Sequence, residues 1–228
     1  MKQLCAAILL SSVAALTGCS VKPRAVMLAA GDYLRSDYVD CLKQTRSPLR
    51  CEVSGEPQLI EVRRGTGGAD LVVASFHEGF AGLVQHRDGS IESSHDSALQ
   101  NLTVDALDAH HVRVGARGLK SFVYVFVGSL DRYVAQETLV GTYVDDKGRN
   151  YVFGNDGWAS FPERRFEYVV AADHVLNAYD YFYEKSGGPV FVFERHGSEL
   201  EIFRTTGESD EVVDKRPSYS LRELSSVR

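Results

Sequence analysis

The sequence predicts a mainly β chain: an antiparallel meander, sandwich or small barrel with one or two short accessory helices. Three observations carry that expectation. From about residue 58 onward, apolar residues alternate with polar ones or form short β-branched and aromatic runs. Polar, glycine-bearing turns interrupt these runs roughly every 8–12 residues, the spacing of sandwiches and barrels. With 228 residues and 44% hydrophobic composition, the chain is long enough for one sizeable β domain or two small ones.

Each element has a local reason. Asp32 is placed to cap a short helix through about residue 44, with Leu34, Tyr38, Cys41 and Leu42 on one face; Pro48 and Cys51 end that unit. Residues 59–63, 70–76 and 80–86 read as strands, and Arg87-Asp88-Gly89-Ser90 as a hairpin turn. The stretch 93–110 interrupts the series, where Asp96 is placed to cap a helix carrying Leu99, Leu102 and Ala106. Strands resume at 112–114 and 121–127, and the run from Phe122 to Val127 suits a central strand buried on both faces. Residues 139–144, 150–153, 158–161, 165–170, 189–194 and 200–205 follow as strands. Asp145-Asp146-Lys147-Gly148, Asn155-Asp156-Gly157 and His196-Gly197-Ser198 supply turns among them. Residues 173–183 fit a helix through Val175, Tyr179 and Phe182, or a strand through Tyr179, Tyr181 and Tyr183.

The N-terminus is of another kind. Lys2 precedes an uncharged run of thirteen residues, 4–16, too short for a permanent membrane span. Leu16-Thr17-Gly18-Cys19 follows it. These residues resemble the lipobox of bacterial lipoproteins. The resemblance implies cleavage of residues 1–18, a lipid on Cys19, and a membrane tether without a span. Ser20, rather than aspartate, after the cysteine implies sorting to the outer membrane, facing the periplasm. The expected organisation is therefore a lipidated N-terminus and tether over 19–30, a β-rich domain over 31–207 and a polar tail over 208–228. Within the domain, two β units are conceivable, about 31–130 and 131–207.

Loss of Lys2 moves the formal charge from −6 to −7, which gives no electrostatic reason to bind nucleic acid. Cys5 leaves with the leader, and the remaining pair, Cys41 and Cys51, reads as a disulfide in an exported protein.

Gly141-Thr142-Tyr143, the following turn and the alternating Tyr151-Val152-Phe153 loosely resemble the opening of lipocalin-like domains. Tyrosine stands where the glycine-x-tryptophan of lipocalins has its indole. The resemblance implies a meander barrel and, with it, a cavity for a small apolar ligand. Gly31-Asp32-Tyr33 is a second glycine-aromatic start of the same kind.

No catalytic constellation is expected. His77-Glu78 begins like a zinc-protease motif, but position 81 is alanine. His110 and His111 are neighbours and would face opposite sides of a strand. His86, His95, His174 and His196 fall at turns or element ends, so no metal site or cofactor is expected. Ser93-Ser94-His95-Asp96 is contiguous and cannot form a triad, and Gly65-Thr66-Gly67-Gly68 links strands rather than cradling phosphate. The acidic turns at Asp145-Asp146 and Asn155-Asp156 lack calcium-loop spacing. Asp173, Asp180, Glu163 and Glu167 are the acids that a glycan hydrolase would use. The strongest remaining signal is aromatic. Tyr151, Trp158, Tyr168, Tyr179, Tyr181 and Tyr183 are the candidate binding surface. The expected role is a non-enzymatic envelope lipoprotein that binds a protein partner or is structural; a small-ligand carrier is the alternative, and a glycan hydrolase a less favoured one.

Overall fold

The computed structural model describes residues 26–51, 57–76, 79–93, 102–116, 120–172, 179–206 and 212–225. The fold is mainly β with two short α-helices. No helix among these residues is long and apolar enough to cross a membrane. The lipobox, Cys19 included, and the expected helix start at Asp96 lie outside the described residues.

Eight strands form the first sheet: β1 (Gly31–Arg35), β2 (Leu59–Arg64), β3 (Gly68–Ala74), β4 (Gly79–His86), β5 (Ile91–Ser93), β6 (Leu102–Ala106), β7 (His111–Ala116) and β8 (Phe122–Gly128). Their order is β5-β4-β3-β2-β1-β8-β7-β6, antiparallel throughout, so the first and last strands of the unit pair with one another. Ile91 on β5 and Leu102, Val104 and Ala106 on β6 pack on the same aliphatic cluster. The sheet therefore curls until its two edges approach, although among the described residues no ladder joins β5 to β6. Its core is built from Leu28, Tyr33, Ile60, Val62, Leu71, Val73, Leu83, Val112, Val114 and Tyr124. Leu28 comes from outside the sheet. Buried Gln85 holds it by accepting from the Leu28 amide at 3.0 Å and donating to the Val26 carbonyl at 2.9 Å.

The second unit is a closed barrel. Its strands are β9 (Gly141–Val144), β10 (Asn150–Phe153), β11 (Trp158–Phe161), β12 (Arg164–Val170), β13 (Asp180–Glu184), β14 (Val190–His196), β15 (Glu199–Thr206) and β17 (Tyr219–Ser225), with the short β16 (Val212–Val213) on β15. Each pairs antiparallel with the next, and β17 pairs with both β15 and β9, closing a ring of eight. Alternation sends Tyr143, Tyr151, Phe153, Phe161, Phe166, Tyr168, Phe182, Phe191 and Phe193 inward. Phe153 meets Tyr143, Phe161, Tyr168 and Phe182 with ring centroids 5.2–5.8 Å apart, all edge to face.

Two helices lie between the units. Helix α1 (Ser36–Thr45) follows β1 and buries Tyr38, Val39 and Leu42 in the core of the second barrel. The Tyr38 hydroxyl donates to the Ala172 carbonyl at 3.2 Å. The expected disulfide is present: Cys41 on α1 bonds Cys51 in the 3-10 turn Leu49–Cys51, ten residues on. Helix α2 (Leu130–Thr138) joins the two units.

Several expectations are corrected. The helix does not start at Asp32, because residues 31–35 pair with β2 and β8. Asp32 instead accepts from the Leu130 amide at 2.7 Å and so caps α2, ninety-eight residues away. Burial pushes its carboxyl above the usual range, and the Leu130 amide only partly opposes that. Leu102 and Ala106 are in strand β6, not a helix. The 121–127 run is central in its sheet, but only Tyr124 within β8 is fully buried. Residues 180–184 are a strand, which settles that part of the ambiguous stretch; 173–178 lie outside the described residues. The stretch read as a polar tail contains β17, the strand that closes the barrel, with Tyr219 and Leu221 packed on its interior.

Candidate functional site

The six aromatic residues proposed as a surface divide between the two faces of the second barrel. Tyr151 and Tyr168 are 0% and 3% exposed and belong to its interior, so they are not part of a binding surface. Their positions follow from cross-strand register: Tyr151 lies opposite Tyr143 and Tyr168 opposite Glu184, all inward. Trp158 and Tyr183 are outward and 40% and 37% exposed. Tyr179 and Tyr181 are partly exposed.

The outward residues make one strip across β11 to β14. Trp158 lies opposite Glu167, and the Arg165 guanidinium stacks 4.9 Å from the indole. Glu167 accepts from Lys185 at 2.7 Å. Next along β12, Val169 lies opposite Tyr183, which lies opposite Val190. Tyr181 lies opposite Val192, which is itself fully buried and lies opposite Phe203. The strip therefore combines an exposed indole, two phenol rings and a charged border, the composition of a protein-facing patch.

The same barrel carries an acidic groove on its other side. Val144, Asp145, Asp146, Glu199, Glu201, Ser220 and Arg222 line about 470 Å³ of open space across β9, β17 and β15. Asp145 is committed to the local turn: it accepts from the amides of Lys147 and Arg149 and from the Arg149 side chain. Beside this groove, Glu194 and His196 project outward from β14, and Glu201 lies directly opposite Glu194 on β15. One ligand atom from each of these three lies within 4.8 Å of the others. The expectation of a turn histidine at 196 placed it correctly near the hairpin end but missed its neighbours, which only strand register brings together.

The end of the barrel facing the helices is closed by a buried ionic node. Arg195, between outward Glu194 and His196, points inward. Its guanidinium donates to Glu223 at 2.8 Å, to the Thr138 carbonyl at 2.9 Å and to the Tyr143 hydroxyl at 2.6 Å. Arg46, the left-handed residue ending α1, donates to the same Glu223 at 2.8 Å. Burial alone would raise the Glu223 carboxyl, but the hydrogen bonds and charges of Arg46 and Arg195 outweigh it and hold the group below its ordinary range. This is an architectural site that fastens α1 to the barrel mouth.

The acids considered for glycan chemistry do not converge. Asp180 faces the barrel mouth and accepts from the Leu49 amide at 2.7 Å; Glu163 pairs with Arg149; Glu167 pairs with Lys185 on the outer strip. Asp173 lies outside the described residues, as do His77, His95 and His174. His111 pairs with Asp108 and His86 with Glu92, at separate places. Gly65 and Gly68 close a tight strand-to-strand turn, as expected.

No family model, curated protein or solved structure matches the chain.

Proposed function

We propose that this chain is a lipid-tethered lipoprotein of the bacterial envelope, on the outer membrane and facing the periplasm, and that it works by binding a protein partner through the outer strip of its second barrel. The observation that carries the binding reading is the division of the aromatic residues. The interior rings face the core, whereas Trp158 and Tyr183 point outward and are 40% and 37% exposed, with Arg165 over the indole and the Glu167–Lys185 pair beside it. Membrane tethering raises the effective concentration of such a face for partners in the same compartment. The carrier alternative needs free volume in a barrel, and the second barrel fills its interior with rings in mutual contact.

Val26 and Leu28 are gripped by Gln85 of the first sheet. Seven residue steps separate Cys19 from Val26, a reach of at most about 25 Å. Lipidation at Cys19 would therefore hold the first unit against the membrane and leave the second barrel as the distal unit.

The test is cell fractionation with in-cell crosslinking of the tagged chain. The expected result is a membrane-bound protein crosslinked to one dominant envelope protein, with Cys19→Ala released to the soluble fraction. Membrane retention of the alanine variant would overturn the anchor. Failure to recover any protein partner would overturn the binding reading and favour the carrier.

A further inference from the structure

The geometry points to a divalent transition-metal site, with zinc as the best-fitting ion, formed by Glu194, His196 and Glu201 on the β14–β15 hairpin. The three side chains leave the same face of two hydrogen-bonded strands. Glu194 and His196 are two residues apart on β14, and Glu201 is the cross-strand partner of Glu194. A β-ladder is a rigid support, so this convergence does not depend on a loop.

The spacing suits coordination. Bonds of about 2.0–2.2 Å to zinc place tetrahedral ligand atoms about 3.3–3.5 Å apart. His196 Nε2 and Glu194 Oε2 are already 3.4 Å apart, and the third ligand atom lies within 4.8 Å of both. A modest side-chain rotation of Glu201 completes the set. One imidazole and two carboxylates favour a borderline cation over calcium or magnesium, which prefer all-oxygen shells.

A second observation is independent of that spacing. Glu194 and Glu201 are like charges placed directly opposite one another, an arrangement that weakens a ladder. Among the described residues neither has a Lys or Arg ion-pair partner. The nearest cation in sequence, Arg195, is turned inward and used by Glu223, Thr138 and Tyr143. A bound cation removes the repulsion and uses the imidazole that sits beside it. Three protein ligands leave at least one position open beside the acidic groove, for water or for a ligand atom from a second molecule.

The experiment is calorimetric titration of zinc chloride into the untagged full chain, purified in mild detergent and freed of metal. Saturable one-site binding is expected. The Glu194→Gln/Glu201→Gln pair and His196→Ala should each weaken it at least about tenfold, whereas His111→Ala, which removes the separate His111–Asp108 pair, should leave it unchanged. The double glutamine variant keeps side-chain shape, so its unfolding midpoint without metal should equal or exceed that of the parent. Absence of saturable binding, binding insensitive to these substitutions, or equal competition by calcium would each overturn the assignment.

Discussion

The two β units solve the same packing problem with different side chains. Both are eight-stranded antiparallel meanders whose first and last strands pair, and both open on glycine, one residue, tyrosine. In each, the tyrosine is fully buried and its hydroxyl meets a carbonyl four residues upstream: Tyr33 with Ala29 at 3.0 Å, and Tyr143 with Leu139 at 2.7 Å. The glycines differ in their reason. Gly31 has a φ of +132° and lies against the Gly128 carbonyl, where a side chain would collide, whereas Gly141 faces the Tyr143 ring. The interiors differ more. The second unit fills a closed ring with phenyl and phenol groups. The first is dominated by Val, Leu and Ile, takes in Leu28 from the preceding segment, and has no ladder between β5 and β6 among the described residues. An eight-stranded barrel is just wide enough for side chains to fill it. Large rings match that width. Aliphatic residues leave space that curling of the sheet and an imported side chain take up.

The sharpest way to break this comparison is to remove one central ring. Phe153→Ala should destabilise the second barrel by about 3–5 kcal/mol, because a buried ring with four aromatic neighbours leaves a cavity that the closed ladder cannot collapse. Trp158, the chain's one tryptophan, sits on that barrel, so its fluorescence during urea unfolding reports the loss. Leu71→Ala in the first unit should cost about 2–5 kcal/mol, read by circular dichroism over the whole chain.

Glu223→Gln tests the node that ties α1 to the second barrel. It leaves two guanidinium groups without their carboxylate, and a loss of about 3–5 kcal/mol at neutral pH is expected from urea unfolding. The sign of the pH effect is fixed. The folded carboxyl lies below the ordinary glutamate range, so its contribution is complete above that range and is lost as the pH falls through the lowered folded value. The glutamine variant should therefore lose less stability than the parent over that acidic window.

Smaller effects follow at the junction. Replacing Cys41 and Cys51 together by serine should cost about 2.5–3 kcal/mol through the freed loop, measured as the urea midpoint with and without reductant. Asp32→Ala should cost about 1 kcal/mol by uncapping α2, with amide exchange accelerating first at Leu130.

Much of this architecture was legible as alternation and turns. The second barrel's strands from β9 to β12, the turns at Gly89, Gly148, Gly157 and Gly197, and the disulfide all follow from local pattern. Less legible was whatever depends on distant partners. Asp32 carries a capping signal, but the helix it caps is far along the chain. Strand β17 lies in a charge-mixed segment with Pro217 just before it, and it is its place between β9 and β15 that makes it a strand. Tyr151 and Tyr168 look amphipathic in sequence, yet barrel closure buries both. The Glu194–His196–Glu201 group needs the register of two strands to be seen at all.

The most direct test of the account is site-specific photocrosslinking in cells, with the crosslinking residue placed at Trp158 or Tyr183 on the outer strip and, as the contrast, at Arg63 or Arg113 on the first unit. One protein adduct is expected from the two strip positions and none of that mass from the first unit. The same adduct from the first unit alone, with nothing from Trp158 or Tyr183, would contradict it.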